Sequence, residues 1–455
     1  MSPYSRIVHG SLWSVLGNGA ARMFAVATAL AAARLLGREG FGTLALVQLT
    51  ITTAGTLVSG QLAQAATRFV SQFRQSSAAK ASAVARLVTM LSAVLGLTAM
   101  LALLLLSDWI SGRILRQPSM APLLRMASPA VPFALIAGAQ AAILNGYEAF
   151  PVAARVNAFG SAAMFLGVLA GGFTAGVNGA VMGWVVGNGV LCLFSYVAIR
   201  KFRISGPTSS SARAHFPISS LLSYSLPLFS ASMVFAAVLL HANALLGEKH
   251  SLSEVALYAA ADRIHLILLF VPTAVFSAMF PILSNLQSHG DLSGYRKVLR
   301  TVLQISALVV VVPAAFLGLF SSRVCSLFGA EFGASGTVLA ILCVATLFEA
   351  LNILFGYLMI IAGRVWLRSC VDIGLALVLG SCATIWIPRF GSEGLAAAYA
   401  ASFAAAVIVL AVSLRLIRAP RTEEVAAFVP SAMPKPLDLG YARGFNRSSW
   451  YPSVK

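Results

Sequence analysis

Apolar residues run along this chain in blocks about twenty residues long, separated by short polar connections. That length is what a helix needs to cross a hydrocarbon core of about 30 Å. Twelve windows fit the pattern: residues 11–33, 42–65, 84–107, 124–146, 153–174, 178–199, 222–245, 255–285, 298–320, 335–360, 366–388 and 394–417. The runs are continuous and do not alternate, which excludes a β-barrel. The expected class is an all-α polytopic membrane protein of about 12 transmembrane helices.

The cationic residues fall on one side of that layout. With the N-terminus inside, 22 Lys and Arg lie in inner connections and the tail, 8 lie in outer connections, and Arg22 and Arg263 sit within spans. Such a bias orients polytopic proteins, so both termini are expected in the cytoplasm. The formal net charge of +18 then reports topology, and no nucleic-acid partner is expected. Composition agrees: 59% of residues are hydrophobic and 10% charged, against about 25% charged in soluble domains. Cys192, Cys325, Cys343, Cys370 and Cys382 have no metal-type spacing, and no cofactor is expected.

The longest connection, Arg200–Ser220, is basic and serine-rich, and divides the chain in two. The expected domains are an N-terminal six-helix bundle over 1–205, a cytoplasmic linker over 206–220, a C-terminal six-helix bundle over 221–418 and a disordered tail over 419–455. The halves echo each other. Glu39-Gly-Phe-Gly-Thr matches Glu254-Val-Ala-Leu-Tyr, Leu144-Asn-Gly-Tyr147 matches Leu354-Phe-Gly-Tyr357, and Gly176-Val-Asn-Gly-Ala180 matches Gly391-Ser-Glu-Gly-Leu395, at offsets of 215, 210 and 215. A six-span repeat gives parallel, pseudo-symmetric halves, with a substrate cavity between them.

Ionisable residues inside spans are costly and usually functional. Arg22 lies one turn after Asn18 on the first span. It can face a cavity or snorkel to the inner headgroups. Gln48, Thr52, Thr56 and Ser59 form one polar face of the second span, suited either to lining a wet cavity or to helix packing. In the eighth span Asp262 and His265 share a face, while Arg263 points about 100° away from Asp262. Arg263 therefore needs a partner from another helix, water or a ligand. If the span starts only at Ile264, Arg263 guards the outer mouth instead. His265 reads most simply as a core histidine. Glu349 and Asp372 are candidates for coupling to Na⁺ or H⁺; Asp372 also lies four residues after Arg368, a pairing distance, and Glu349 has no evident partner. Pro227, Pro272, Pro281 and Pro313 fall within spans and permit bending. There is no Walker A loop, no His-Glu-x-x-His and no outer loop large enough for a catalytic domain, so an enzyme is not expected.

Five stretches resemble the polysaccharide flippases of the Wzx type, a branch of the multidrug/oligosaccharidyl-lipid/polysaccharide (MOP) exporter superfamily. They are Ala33-Arg-Leu-Leu-Gly-Arg-Glu-Gly-Phe-Gly42, Thr67-Arg-Phe-Val70, Tyr224-Ser-Leu-Pro227, Tyr258-Ala-Ala-Ala-Asp-Arg-Ile264 and Phe280-Pro-Ile-Leu-Ser284. The likeness spans roughly residues 5–418; Arg38 departs from it, where the family often has proline. The resemblance implies a V-shaped pair of six-helix bundles. It implies transport of an undecaprenyl-diphosphate-linked oligosaccharide across the bacterial inner membrane, for polysaccharide, O-antigen or lipopolysaccharide synthesis. The Asp262-Arg263 stretch is also similar to peptidoglycan lipid-precursor flippases, which implicates Arg263 and Arg22 in holding the diphosphate. Asn18, Gln48, Thr52 and Asp262 would line the sugar part of the cavity. Membrane lipids, and a polysaccharide polymerase or other assembly proteins, would be its partners. A cation-coupled drug exporter of the same superfamily and a non-transport component of glycan assembly are the alternatives. The first calls for an acidic or aromatic cavity, which the arginines oppose.

Overall fold

Three glycines divide the longest helical stretches of this chain. The computed structural model describes residues 3–59, 62–204, 218–276, 279, 283, 292–362 and 364–416. The linker at 205–217, the tail from 417 onward and Pro281 lie outside the described residues.

Helix α1 (Pro3–Ser59) changes direction at Gly37, whose φ is 67°. Helix α2 (Leu62–Ser76) follows, then α3 (Ala78–Trp109), which Ser77 caps by accepting the Lys80 N–H at 3.3 Å. Short α4 (Ala121–Ala127) and α5 (Ala130–Gly146) meet at a 44° bend, and α6 (Phe150–Ile204) is broken at Ala175–Gly176. The second half holds α7 (Ile218–Lys249), α8 (Leu252–Leu268), α9 (Leu292–Leu319), short α10 (Ser321–Cys325), α11 (Ser335–Ile361) and α12 (Val365–Leu416), the last broken at Gly391. Among the described residues there is no strand. Eight helices among the described residues are long and apolar enough to cross a membrane, or nine if the bent α4–α5 pair is one span.

The breaks carry the repeat into the backbone. Gly176 has φ 57° and ψ −133°, and Gly391, 215 residues later, has φ 57° and ψ −131°. Left-handed φ is costly for a residue with a Cβ, so two glycines at one offset in one conformation are a structural echo of the sequence match. Helices α1, α3, α5 and α6 pack among themselves, as do α7, α8, α11 and α12; α1 against α7 and α8 joins the halves.

Between α1 and α3 the structure adds an element, α2, where the sequence pattern gives only an inner connection. Leu62, Ala65, Ala66 and Val70 are buried, while Gln64, Ser71 and Gln72 are exposed. This one-sided helix seats its apolar stripe on Val84, Ala85 and Val88 of α3 and Ala139, Ala142 and Ile143 of α5. A twenty-residue hydropathy window does not see it, because half its surface is polar.

Within the first half, helix contacts close to backbone distance. A Cβ on Gly183 would lie 1.9 Å from the Gly167 carbonyl oxygen, and one on Gly179 equally close to that of Gly171. Small residues on this i, i+4 spacing let the two halves of α6 touch, which is how membrane helices pack without a hydrophobic drive. Gly183→Val is expected to abolish recovery of monodisperse protein on detergent size-exclusion chromatography, since backbone cannot yield there as a side chain can.

Candidate functional site

The site is built where α1 meets α8. Ser251 caps α8 by accepting the Glu254 N–H at 3.3 Å, and the helix begins at Leu252, well before Ile264. Arg263 therefore lies about 16 Å along α8 by its rise of 1.5 Å per residue. Arg22 lies about 22 Å from the Gly37 break by the same rise. The start of α8 lies beside α1 five residues past that break: a Cβ on Gly42 would sit 1.9 Å from the Leu252 carbonyl oxygen. Both arginines thus stand at similar depth, far from that end.

Each arginine is held by the other half of the chain. Arg263 Nη2 donates to Gln48 Oε1 at 3.2 Å. Arg22 Nη1 donates to the Leu266 carbonyl at 2.6 Å, and its guanidinium lies 5.3 Å from the Phe270 ring centre. Pro272 explains why α8 yields here. It lacks an N–H and its ring crowds the carbonyl one turn back, so the helix loosens at Leu269. Both guanidinia are only half-buried. Guanidinium groups present planar forks of N–H donors that suit phosphate oxygens.

Gln48 and Arg263 are 215 residues apart, the same offset as the repeat. Equivalent positions of the two halves therefore touch each other at the pseudo-symmetry axis. Thr52 is exposed one turn further along, its hydroxyl bonded to the Gln48 carbonyl at 2.9 Å. Thr56 bonds likewise to the Thr52 carbonyl at 2.9 Å. Asn18 is exposed one turn before Arg22. Asp262 is part-exposed beside Arg263 and faces His265, its Oδ1 3.5 Å from Nδ1.

The two acidic coupling candidates separate. Asp372 is bound to Arg368, whose Nε lies 2.8 Å from one carboxylate oxygen and whose Nη2 lies 2.7 Å from the other. Arg368 also donates to the Asn352 carbonyl at 2.9 Å and to Asn352 Oδ1 at 2.8 Å. This clamp ties α12 to α11. We expect Asp372→Asn to lower the thermal midpoint in detergent, by the loss of about 1–3 kcal/mol from a largely buried charge-assisted pair, and to leave the transport rate at saturating substrate unchanged. Glu349 has a different setting. Its Oε2 lies 3.2 Å from His265 Nε2 and accepts the Tyr399 hydroxyl at 3.0 Å. The phenol of Tyr399, in an alanine-rich stretch of α12, is, beside His265, a partner that sequence reading missed. Its only signal there was a lone polar ring among small apolar residues.

At the Gly37 end the halves are fastened. Arg116 pairs with Glu248 at 2.5 Å, Gln117 Nε2 donates to the Gly247 carbonyl at 3.2 Å, and Arg34 Nε donates to the Leu327 carbonyl at 2.9 Å. Phe41 packs between Phe328 and Phe332, with ring centres 6.4 and 6.0 Å away.

The family model for polysaccharide biosynthesis proteins matches residues 31–335. The chain belongs to that family. No curated protein matches it. Among solved structures, an inward-facing multidrug resistance MATE family transporter of the MOP superfamily superposes with a TM-score of 0.73 at 15% identity, covering 92% of this chain and 99% of that one. A MOP superfamily transporter from Pyrococcus furiosus, described by the reverse polarity of its binding pocket, gives a TM-score of 0.70 at 18% identity over 94% of this chain and 97% of that one. At such identities the likeness is one of fold. Family and fold together make the chain a multi-pass membrane protein of the polysaccharide biosynthesis family, built on the fold seen in MOP superfamily transporters.

Proposed function

We propose that this polysaccharide-family protein flips a lipid-linked oligosaccharide, carried on undecaprenyl diphosphate, across the bacterial inner membrane by alternating access. The observation that supports this most is the placing of Arg22 and Arg263 at one depth, each held by an uncharged partner. A diphosphate is a poor passenger for hydrocarbon and a good ligand for two guanidinium forks in a wet cavity. Sugar hydroxyls find Asn18, Gln48, Thr52 and Asp262 alongside. The polyprenyl tail stays in the bilayer, and no bond of the substrate is made or broken.

In this reading α1, α6 and α12 each cross twice, turning at Gly37, Gly176 and Gly391, and the bent α4–α5 pair crosses once. That gives twelve crossings in two six-helix halves. The bias of basic residues puts both termini in the cytoplasm and the fastened Gly37 end outside, so the conformation is closed outward. The product is an oligosaccharide ready for polymerisation or ligation in O-antigen, lipopolysaccharide or related pathways, which is where polymerase and assembly partners meet it.

Reconstitution tests it. Proteoliposomes containing the purified full chain should expose a fluorescent undecaprenyl-diphosphate oligosaccharide to a membrane-impermeant modifying enzyme faster than protein-free vesicles. Equal rates would overturn the reading. A drug-exporter function is separated by expression in a drug-sensitive strain, where no rise in resistance is expected.

A further inference from the structure

Both arginines are referred to one helix. Arg263 stands on α8, and Leu266, whose carbonyl takes Arg22 Nη1 at 2.6 Å, follows it by three residues, within one turn of the same helix. One turn further on, the Phe270 ring centre lies 5.3 Å from the Arg22 guanidinium carbon. Arg22 itself belongs to α1, in the other half of the chain. A helix of the second half therefore carries one cation and holds the other.

The grip on Arg22 has two points. The carbonyl fixes one end of the guanidinium, and the ring face attracts the cation through its quadrupole. Pro272 makes this possible: regular α8 stops at Leu268, and a carbonyl beside the loosened turn can serve a donor from outside the helix. The surface of α1 opposite is bare at Gly19, where a Cβ would stand 3.8 Å from two carbons of the Phe270 ring. The half-buried ring thus lies over Gly19 and reaches Arg22, three residues on and on the same helix face. With Nη1 taken by the carbonyl, the Nε and Nη2 edge of Arg22 is the fork left for a phosphate. Arg263 is held more loosely, through the Gln48 side-chain amide at 3.2 Å.

We propose that Phe270 and the Leu266 carbonyl are positioning groups that set the spacing of the two guanidinia, and that this spacing selects a lipid diphosphate over a lipid monophosphate. A diphosphate offers a phosphoryl group to each fork at once, and a monophosphate engages one. The second contact adds most when both forks already stand at the right separation, because ordering them costs binding free energy. Since both are set from neighbouring turns of α8, that separation survives small movements of α1 while the cradle holds. A ring that served packing alone would be replaceable by leucine with no effect on ligand choice. The ligand rests on the flippase reading; the cradle around Arg22 does not.

Binding of undecaprenyl diphosphate and undecaprenyl monophosphate to the purified full chain in nanodiscs tests the selection. Wild type should prefer the diphosphate. Phe270→Leu should lower that preference about three- to tenfold, through weaker diphosphate binding, and Phe270→Trp, with the stronger ring face, should keep it. In an Arg22→Ala background Phe270→Leu should have no further effect, because a positioning group acts only through the group it positions. An unchanged preference in Phe270→Leu, or losses that add in the double variant, would overturn the proposal. Arginine modification by phenylglyoxal, read by peptide mass spectrometry, tests the cradle with no lipid substrate. Phe270→Leu should speed modification of Arg22 at least threefold and leave Arg263 at its wild-type rate; an unchanged rate at Arg22 overturns the cradle. If wild type binds neither lipid, the diphosphate reading fails while the modification rates still decide the cradle.

Discussion

Arg263→Ala is expected to lower the rate of flipping of lipid-linked oligosaccharide in proteoliposomes at least thirtyfold, at wild-type levels of folded protein. Removing one partner of a desolvated, hydrogen-bonded charge contact costs about 2–5 kcal/mol, and Arg263 is assigned such a contact with the diphosphate. Arg263→Lys keeps the charge but loses the planar fork, so a smaller loss is expected, of about tenfold. The fold should tolerate both changes. Among the described residues the hydrogen bond lost is the one to Gln48 Oε1 at 3.2 Å, and that amide is free to turn to water. Gln48→Leu sharpens the comparison: it removes the partner and leaves the cation, so substrate binding should weaken only modestly. Wild-type flipping by Arg263→Ala would remove the residue from the site, and equal losses in Arg263→Ala and Gln48→Leu would show that the contact between the halves matters more than the charge.

The all-helical membrane class was legible in the sequence because membrane burial writes itself into long apolar runs, and charges within them stand out. The register of the repeat was legible from three short matches, and the backbone supplied the reason for one of them in the paired conformations of Gly176 and Gly391. The depth of Arg263 was not. Whether α8 starts at Leu252 or Ile264 turns on a single cap, Ser251, whose bond to the Glu254 N–H is a local matter that hydropathy does not record. The partners of Glu349 were hidden for another reason. His265 and Tyr399 lie 84 residues before it and 50 after it, and only the packing of α8, α11 and α12 brings them together. For Asp372 the spacing from Arg368 already carried the pairing, because i, i+4 neighbours on one helix meet whatever the tertiary fold.

The second large effect is expected at Gly42, where a side chain should wedge apart the end that the halves hold shut. A Cβ there would fall 1.9 Å from the Leu252 carbonyl oxygen and 3.3 Å from the Ala256 nitrogen, so α1 and α8 cannot keep their separation. Gly183→Val creates the same clash within one half and should prevent folding, because those contacts persist through any rocking motion. The Gly42 contact differs in crossing from one half to the other. Its neighbours are the Arg116–Glu248 pair, the Arg34 and Gln117 bonds to carbonyls, and the Phe41–Phe328–Phe332 cluster. The exposed ion pair adds little, about 0–1 kcal/mol, so most of the closure energy lies in packing, which overpacking opposes by about 1–3 kcal/mol. A penalty of that size shifts a two-state equilibrium by roughly five- to 150-fold. Gly42→Val should therefore yield folded protein held open at this end. A cysteine placed at Phe328, buried at 1% exposure, in a background without the native cysteines, should react with a membrane-impermeant maleimide at least fivefold faster than in the Gly42 parent, and flipping should fall in proportion because the cycle needs both closures. Unchanged labelling with full transport would mean that the halves do not part at α1 and α8, and the axis of motion would have to lie elsewhere.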